Sequence, residues 1–231
     1  MVPVFVPVLL VTADAHGAWT LSPPQSDCRS SEISRPSHSH APIDSLLAAI
    51  NFGTLDHVLK ATNQIKALHY KGAALNVVYA LWRENKAEFP NLRWDVATLP
   101  LVRVEFANIL LQAWKNGAFS LAEGDRTEMH AFLRAVVANT DRDLFLLGNA
   151  ISTLALLDDP HDVQLILEVL AKHRSSMLFR QAALALLTMC TDEAQQALKK
   201  LPTYATNQSD KDFLQRLHDD RARLRGFWCP K

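Results

Sequence analysis

Glycine is scarce in this chain, with 7 residues in 231. Tight turns between strands and loops that cradle phosphate groups depend on glycine, because it adopts backbone angles that other residues avoid. A strand-and-turn fold and a phosphate-binding α/β enzyme are therefore disfavoured. The sequence also lacks the HExxH, GxGxxG, GxxxxGKS/T and GxSxG patterns of zinc proteases, dinucleotide sites, P-loops and serine hydrolases. We predict no catalytic, cofactor-binding or metal-binding residue, no enzymatic activity and no cofactor.

Net charge is absent as well, because Lys+Arg and Asp+Glu both number 24. Wholesale binding to nucleic acid or to an anionic membrane needs an excess of positive charge, which supplies most of the non-specific affinity. A small excess is confined to the segment "RARLRGFWCPK" near the carboxyl end. No apolar run is long enough to cross a bilayer as a helix. The sequence therefore predicts no membrane span, and it disfavours nucleic-acid binding.

The residue types that ligate metals or form disulfides show no informative spacing. The three cysteines, Cys28, Cys190 and Cys229, form no CxxC pair and no zinc pattern, and an odd, sparse set argues against a disulfide framework. Cys190 ends an apolar helical pattern, and we predict a small buried hydrophobic residue there, not a reactive thiol. His130 lies close to acidic residues, but a solvated helix surface is the preferred interpretation over a metal site.

The first 43 residues lack the pattern of the rest of the chain. Residues 1–15, "MVPVFVPVLLVTADA", resemble a secretory signal in their apolar core and small-x-small ending, but no basic residue precedes Arg29. We interpret residues 1–43 as an apolar leader plus a Ser/Pro-rich disordered linker. A cytoplasmic location is favoured, and a secreted or periplasmic one follows if residues 1–15 are a cleaved signal.

From residue 44 onward, apolar residues recur at steps of three and four, as Val102, Phe106 and Ile109 do. This periodicity is typical of amphipathic helices that pack on one side. Short polar, glycine or proline segments separate the periodic stretches, and no strand–turn–strand pattern occurs. The sequence predicts an all-α domain over residues 44–226, followed by a short tail at 227–231.

Internal repeats organise this domain. Four segments align without gaps, starting at Tyr70, Val102, Leu146 and Phe179, with separations of 32, 44 and 33 residues; a weaker copy starts at Phe213. Such a period is typical of architectures in which each unit buries its apolar face against its neighbours. We predict an α-α superhelix, a right-handed solenoid of four to five antiparallel helical hairpins.

The spacing and the packing pattern of the second helix in each copy resemble those of HEAT-like repeat proteins, which form armadillo-type superhelices. The resemblance implies a stacked-hairpin domain with a face of second helices that binds proteins or peptides. In the HEAT pattern an Asp in the turn inside a repeat pairs with an Arg of the second helix, but Arg174 occupies the Asp position that would serve Arg180. The matching motifs are Pro100-Leu101-Val102-Arg103, Phe179-Arg180-Gln181-Ala182-Ala183 and Asp159-Pro160-His161-Asp162-Val163.

An acidic pentapeptide, residues 158–162, "DDPHD", allows two interpretations. As the opening of a helix, Asp159 is the N-cap that accepts a backbone N–H, Pro160 is the first helical residue, and Asp162 lies near the positive end of the helix dipole. His161 is then exposed and has no structural role. The alternative is a metal or acid/base site. We favour the helix opening, because the repeat register starts a helix here.

Basic residues at one position per repeat are the candidate partner-binding residues. Lys71, Arg103 and Arg180 either line the binding face or form intramolecular pairs, and Trp94 either packs under a loop or anchors a partner. The predicted function is a non-catalytic protein–protein interaction or scaffold module that binds a protein or peptide. The alternatives are an accessory lyase or chaperone-type HEAT-like protein and a nucleic-acid-binding helical repeat protein.

Overall fold

The computed structural model of the chain describes residues 48–49, 55–67, 73–83, 100–139 and 141–228, and of residues 221–228 only the backbone. All of these residues fall within one compact unit. The predicted leader and linker at 1–43, Lys71 and Trp94 lie outside the described residues, as do residues 229–231 of the tail.

The described residues are helical and contain no strand, which confirms the all-α prediction. Two 3₁₀ turns, Ala155–Leu157 and Leu201–Tyr204, follow α5 and α8. The α-helices are α1 (Leu55–Ala67), α2 (Ala73–Trp82), α3 (Pro100–Lys115), α4 (Glu123–Ala138), α5 (Leu144–Leu154), α6 (Asp162–His173), α7 (Ser176–Thr188), α8 (Asp192–Lys200) and α9 (Gln208–Trp228).

The helices pack in two rows. Helices α1, α3, α5, α7 and α9 contact one another in that order, and we call them the odd row. Helices α2, α4, α6 and α8 form the even row, in which α6 packs on α4 and α8 on α6. Trp82 of α2 meets Phe132 of α4 edge-on, with ring centroids 5.5 Å apart. Successive helices also pack across the rows, as α2 on α3, α4 on α5 and α6 on α7 do.

The apolar core lies between and within these rows, and the odd row is packed most closely. Trp82, Phe106 and Phe179 are fully buried. Helix α5 contains Gly148 where α7 approaches: a Cβ atom there would lie 3.3 Å from the Cγ atom of Gln181. Glycine at this position therefore serves close packing of two helices.

Local side chains explain where several helices start. The Asp143 carboxylate accepts hydrogen bonds from two backbone N–H groups at the start of α5, at 2.9 and 3.2 Å. The hydroxyls of Ser175 and Thr191 accept equivalent bonds at the starts of α7 and α8, at 3.5 and 3.2 Å. These residue types satisfy N–H groups that have no partner within the helix.

The prediction that Cys190 is a small buried residue is wrong. The chain leaves α7 at Thr188, so the periodic pattern that suggested burial ends two residues earlier. Met189 is fully buried, whereas Cys190 is exposed and disulfide-bonded. The backbone N–H of Cys190 donates to Asp158 Oδ1 at 3.0 Å. This hydrogen bond holds the backbone after α7 in the position that leaves Cys190 exposed.

Candidate functional site

Three aspartates at helix starts have almost no solvent exposure. Asp125 lies in the first turn of α4, Asp162 begins α6, and Asp210 lies in the first turn of α9; their exposed fractions are 8%, 0% and 0%. A buried carboxylate is costly unless hydrogen bonds or opposite charges compensate it. Each of the three receives two side chains that lie four residues apart, on an earlier helix or, for Arg83, on the residue directly after one.

The Asp125 carboxylate joins α4 to α2. The Tyr79 hydroxyl donates to Asp125 Oδ2 at 2.8 Å, and the Arg83 Nη1 atom lies 3.2 Å from Oδ1. Arg83 also contacts the carboxylate of Glu128 at 2.9 Å. The hydrogen bond to Asp125, together with burial, raises the pKa of the Tyr79 hydroxyl above its ordinary value.

The Asp162 carboxylate joins α6 to α4. His130 Nε2 donates to Asp162 Oδ2 at 2.8 Å, and Arg134 Nη1 donates to Oδ1 at 2.5 Å. Burial raises the pKa of Asp162, and the hydrogen bond from His130 and the charge of Arg134 only partly oppose that shift. The side chain of His130 is 23% exposed. The preferred interpretation of His130 as part of a solvated helix surface is therefore wrong, because α6 packs beside it.

The Asp210 carboxylate joins α9 to α7. It accepts hydrogen bonds from the Ser176 hydroxyl and from Arg180 Nε, the latter at 3.4 Å. Thr206 adds its hydroxyl at 2.6 Å and its backbone N–H at 3.1 Å. Burial alone would raise the pKa of Asp210, but these hydrogen bonds outweigh it and lower the pKa below the ordinary value.

These three arrangements share one geometry, which we call a bracket: a buried aspartate held by two donors four residues apart. Each bracket ties two helices of the same row. The donor pairs differ chemically in the first member, which is a phenol, an imidazole or a hydroxyl. The position therefore requires a hydrogen-bond donor and not a proton-transfer group. The pairs are Tyr79 with Arg83, His130 with Arg134, and Ser176 with Arg180.

The pentapeptide 158–162 opens α6, with differences from the prediction in detail. The Asp159 carboxylate accepts the backbone N–H of His161 at 2.9 Å, but His161 is itself the N-cap residue of α6, so the prediction of Asp159 as the N-cap is wrong. Pro160 is not the first helical residue; it lies in a turn, and α6 begins at Asp162. His161 is 84% exposed as predicted, yet its Nδ1 atom also donates to Asp159 Oδ1 at 2.8 Å. These hydrogen bonds lower the pKa of Asp159, although burial acts in the opposite direction.

One bracket brings together residue types that bind metals. His130 Nε2 lies 2.8 Å from Asp162 Oδ2 and 3.7 Å from Asp159 Oδ2. Potential ligand atoms of the three residues all lie within 4.8 Å of one another. Sequence reasoning missed this cluster because His130 is 32 residues from Asp162. The available signal was the repeated pattern of a donor and an arginine four residues later.

The predicted partner-binding arginines contact the chain itself. Arg103 lies over the Trp82 ring at 4.5 Å and pairs with Glu128 at 3.3 Å. Arg180 belongs to the Asp210 bracket and donates to Ser209 at 2.8 Å. Of the two interpretations of these residues, the contacts support intramolecular pairs.

Helices α3, α5 and α7 of the odd row carry a run of uncharged side chains along one side, all polar except Leu184. On α3 the run ends at Lys115, which pairs with Asp158 at 2.7 Å. On each helix these residues lie three or four positions apart and therefore share one face. All of them are half-buried. We name this set the amide face: Asn108 and Gln112 on α3, Asn149 and Ser152 on α5, and Gln181, Leu184 and Thr188 on α7.

Hydrogen bonds link the amide face from helix to helix. Gln112 Nε2 donates to Asn108 Oδ1 at 3.2 Å, and Asn108 Nδ2 donates to the Thr153 hydroxyl of α5 at 3.2 Å. The Ser152 hydroxyl of α5 donates to Gln181 Oε1 of α7 at 2.9 Å. The face is therefore continuous over three helices of the odd row.

Asn149 departs from this pattern of paired amides. Its Nδ2 atom is buried but has no hydrogen-bond partner among the described residues. A buried N–H group without a partner costs roughly 1–3 kcal/mol. The amide face thus contains a donor whose hydrogen bond is supplied by no described residue.

The even row presents the opposite kind of surface. Its outward side is exposed and charged, with both signs interspersed, as is usual for a solvated helix face. We name it the charged face: Glu123 and Glu128 on α4, Glu168 and Lys172 on α6, and Asp192, Glu193, Lys199 and Lys200 on α8.

A pocket of about 270 Å³ lies where α6 ends beside the second 3₁₀ turn. It includes Arg174, whose backbone is left-handed with φ of 40°, and Tyr204. Neither a carboxylate nor a histidine nor a cysteine lines it, so its walls offer no conventional acid–base pair or nucleophile. The remaining lining residues are Leu170, Ala171, Thr203, Ala205 and Thr206.

No protein-family model, curated protein or solved structure matches this chain. Within the part of the chain that the structure describes, no helix combines the length and the apolar character needed to cross a membrane. The functional interpretation therefore depends on the geometry of the chain itself.

Proposed function

We propose that this protein is a non-catalytic interaction module that binds a peptide segment of a partner protein along the amide face. The observation that carries the proposal is the contrast between this uncharged, half-buried face and the charged face of the other row. Peptide groups present neutral donors and acceptors, and amide side chains match both. A face of this kind selects an extended, uncharged stretch of main chain over a highly charged ligand.

The architecture that we propose for this module is a HEAT-like α-α superhelix, in which the packed helix pairs α2–α3, α4–α5 and α6–α7 are the hairpins that repeat. The two rows support it, because helices of one row pack on helices of the same row from neighbouring hairpins. The brackets support it as well, since each joins one hairpin to another by a buried aspartate. Repetition of this kind produces an extended surface, which is what a segment of several residues requires.

The energetics of the amide face also favour a ligand. A neutral hydrogen bond contributes about 0.5–1.5 kcal/mol net. Asn149 Nδ2 is buried without a partner, so a peptide carbonyl would accept from it only after the side chain rotates outward, and that bond would then remove the cost of an unpaired donor.

The test is an unbiased peptide library displayed on phage and selected against the full chain. Affinities of the selected peptides are then measured by fluorescence anisotropy for the wild type and for Gln181→Leu. We expect the substitution to weaken binding about tenfold, which corresponds to about 1.4 kcal/mol. Gln164→Leu is the matched control, because Gln164 is exposed on α6 in the row of the charged face.

Circular dichroism and thermal unfolding establish that both variants keep the fold. The proposal is wrong if no peptide binds the folded wild-type chain, or if the two glutamine substitutions weaken binding equally. No specific observation among the described residues favours the lyase, chaperone or nucleic-acid alternatives.

A further inference from the structure

We propose that His130, Asp159 and Asp162 form a binding site for a divalent transition-metal ion, of which Zn²⁺ is the best match. The site lies between α4 and the start of α6, in the even row. It is independent of the amide face and of the proposed peptide ligand.

The geometry places three ligand atoms around one point. His130 Nε2 lies 2.8 Å from Asp162 Oδ2 and 3.7 Å from Asp159 Oδ2. Zinc binds imidazole nitrogen and carboxylate oxygen at about 2.0–2.2 Å in tetrahedral sites, so neighbouring ligand atoms lie about 3.3 Å apart. The two observed distances lie on either side of that value. Small side-chain rotations would therefore suffice to admit the ion.

The remaining carboxylate oxygens are already held by groups that a metal site needs in its surroundings. Arg134 Nη1 donates to Asp162 Oδ1 at 2.5 Å. The backbone N–H and the ring Nδ1 of His161 donate to Asp159 Oδ1 at 2.9 and 2.8 Å. Both Oδ2 atoms are thereby oriented toward His130. Donors of this kind fix ligating carboxylates in known metal centres and strengthen binding.

The other two brackets show that a buried aspartate can be held without a histidine, whereas this bracket has a histidine with a second carboxylate beside it. Tyr79 and Ser176 occupy the position of His130 in those brackets, so an imidazole is not needed to hold the buried aspartate. Asp159 adds a second carboxylate beside the imidazole. Neither of the other brackets contains a histidine.

Charge and access are suited to a divalent cation. The two carboxylates contribute two negative charges and Arg134 offsets one; the ion binds the Nε2 lone pair of the His130 tautomer that carries its proton on Nδ1, and an imidazolium ring would release one proton to solvent on binding. His130 and Asp159 are 23% and 30% exposed, so an ion reaches the site from water. Three protein ligands leave a fourth position for a water molecule.

The test uses the full chain, stripped of metal with a chelator, and titrated with ZnCl₂ by isothermal calorimetry. We expect one equivalent to bind, and Asp159→Asn and His130→Gln each to weaken binding roughly tenfold or more. Both substitutions retain hydrogen-bonding ability at their positions, and thermal unfolding in chelator shows whether the fold persists. Co²⁺ absorption in the visible range reports a tetrahedral site independently.

Two controls separate this site from others. The double substitution of His38 and His40 by Gln removes the "SHSH" histidines, and Asp158→Asn changes the neighbouring carboxylate; we expect both variants to bind as the wild type does. The proposal is overturned if Zn²⁺ does not bind, if Asp159→Asn and His130→Gln leave the affinity unchanged, or if the His38 and His40 substitutions abolish binding.

Discussion

The two rows of helices differ in where their polar side chains lie. On the even row the residues of the charged face are exposed, and some of them form surface ion pairs, as Glu128 does with Arg83. In the middle of the odd row, on α3, α5 and α7, the amide face is half-buried and bonded from helix to helix, whereas α1 and α9 carry exposed charged residues. A solvated surface needs no particular residue at any position. A half-buried polar surface needs each donor and acceptor to be matched, so its composition carries information about a ligand.

The largest expected effect comes from a comparison of two acidic residues on α6, one buried and one exposed, each substituted by alanine. Asp162→Ala removes the centre of the bracket that joins α6 to α4, and we expect a loss of about 3 kcal/mol in the free energy of unfolding. Glu168→Ala changes the charged face of the same helix, and we expect a change within about 0.5 kcal/mol. Urea denaturation in the presence of a chelator measures both. Equal losses of unfolding free energy would mean that the Asp162 bracket stabilises the fold no more than an exposed acidic side chain does.

Substitution of one glycine in each row tests whether the helices of the odd row pack more closely than those of the even row. A Cβ atom at Gly148 on α5 would lie 3.3 Å from Gln181 Cγ, whereas one at Gly124 on α4 would meet nothing within 4 Å. Gly148→Val should therefore cost about 2 kcal/mol through overpacking. Gly124→Val should be neutral or slightly stabilising, because glycine is a poorer helix former than valine. Thermal unfolding of the two variants measures the difference, and equal melting temperatures would contradict close packing of the odd row.

The smallest expected effect concerns acid, because the pKa values of Asp210 and Asp162 are shifted in opposite directions. The folded-state pKa of Asp210 is lowered, so its contribution to stability is present above the unfolded value of about 3.9 and is lost as pH falls below it. The folded-state pKa of Asp162 is raised, so its contribution is present below the unfolded value and is lost as pH rises through the folded value.

Urea denaturation from about pH 3 to pH 7 checks this difference between the two brackets. The loss of stability on acidification should be smaller in Asp210→Asn than in the wild type and larger in Asp162→Asn. The same pH dependence in both variants would show that the hydrogen bonds around Asp210 do not hold its carboxylate in the charged form.

Several features of the fold could be predicted from the sequence because their causes are local. Apolar periodicity indicated helices from residue 44 onward, and the described residues are helical. The Asp159 carboxylate accepts a backbone N–H, but from His161, which is itself the N-cap residue of α6. The start of α6 was misplaced by two residues, since the pattern of Asp-Pro favours a helix start without specifying the turn that precedes it.

The residues of the candidate sites were harder to predict from the sequence than the helices were. Arg103 and Arg180 stood out through their repeat position, yet their partners Glu128 and Asp210 lie 25 and 30 residues further along the chain. His130 was assigned to a solvated surface because nothing near it in sequence indicated the approach of Asp162. Pairings of this kind depend on which turns of two helices face each other.

The sequence alone determined that the chain forms helices, where many of them begin, and which residues of each face the core, because periodicity and capping act over a few residues. Only the tertiary structure decided that Asp125, Asp162 and Asp210 are buried, that His130 meets two carboxylates, and that uncharged amides gather on the odd row. The physical reason is that burial and hydrogen-bond partners follow from the packing register of helices some 30 residues apart, which no local pattern encodes.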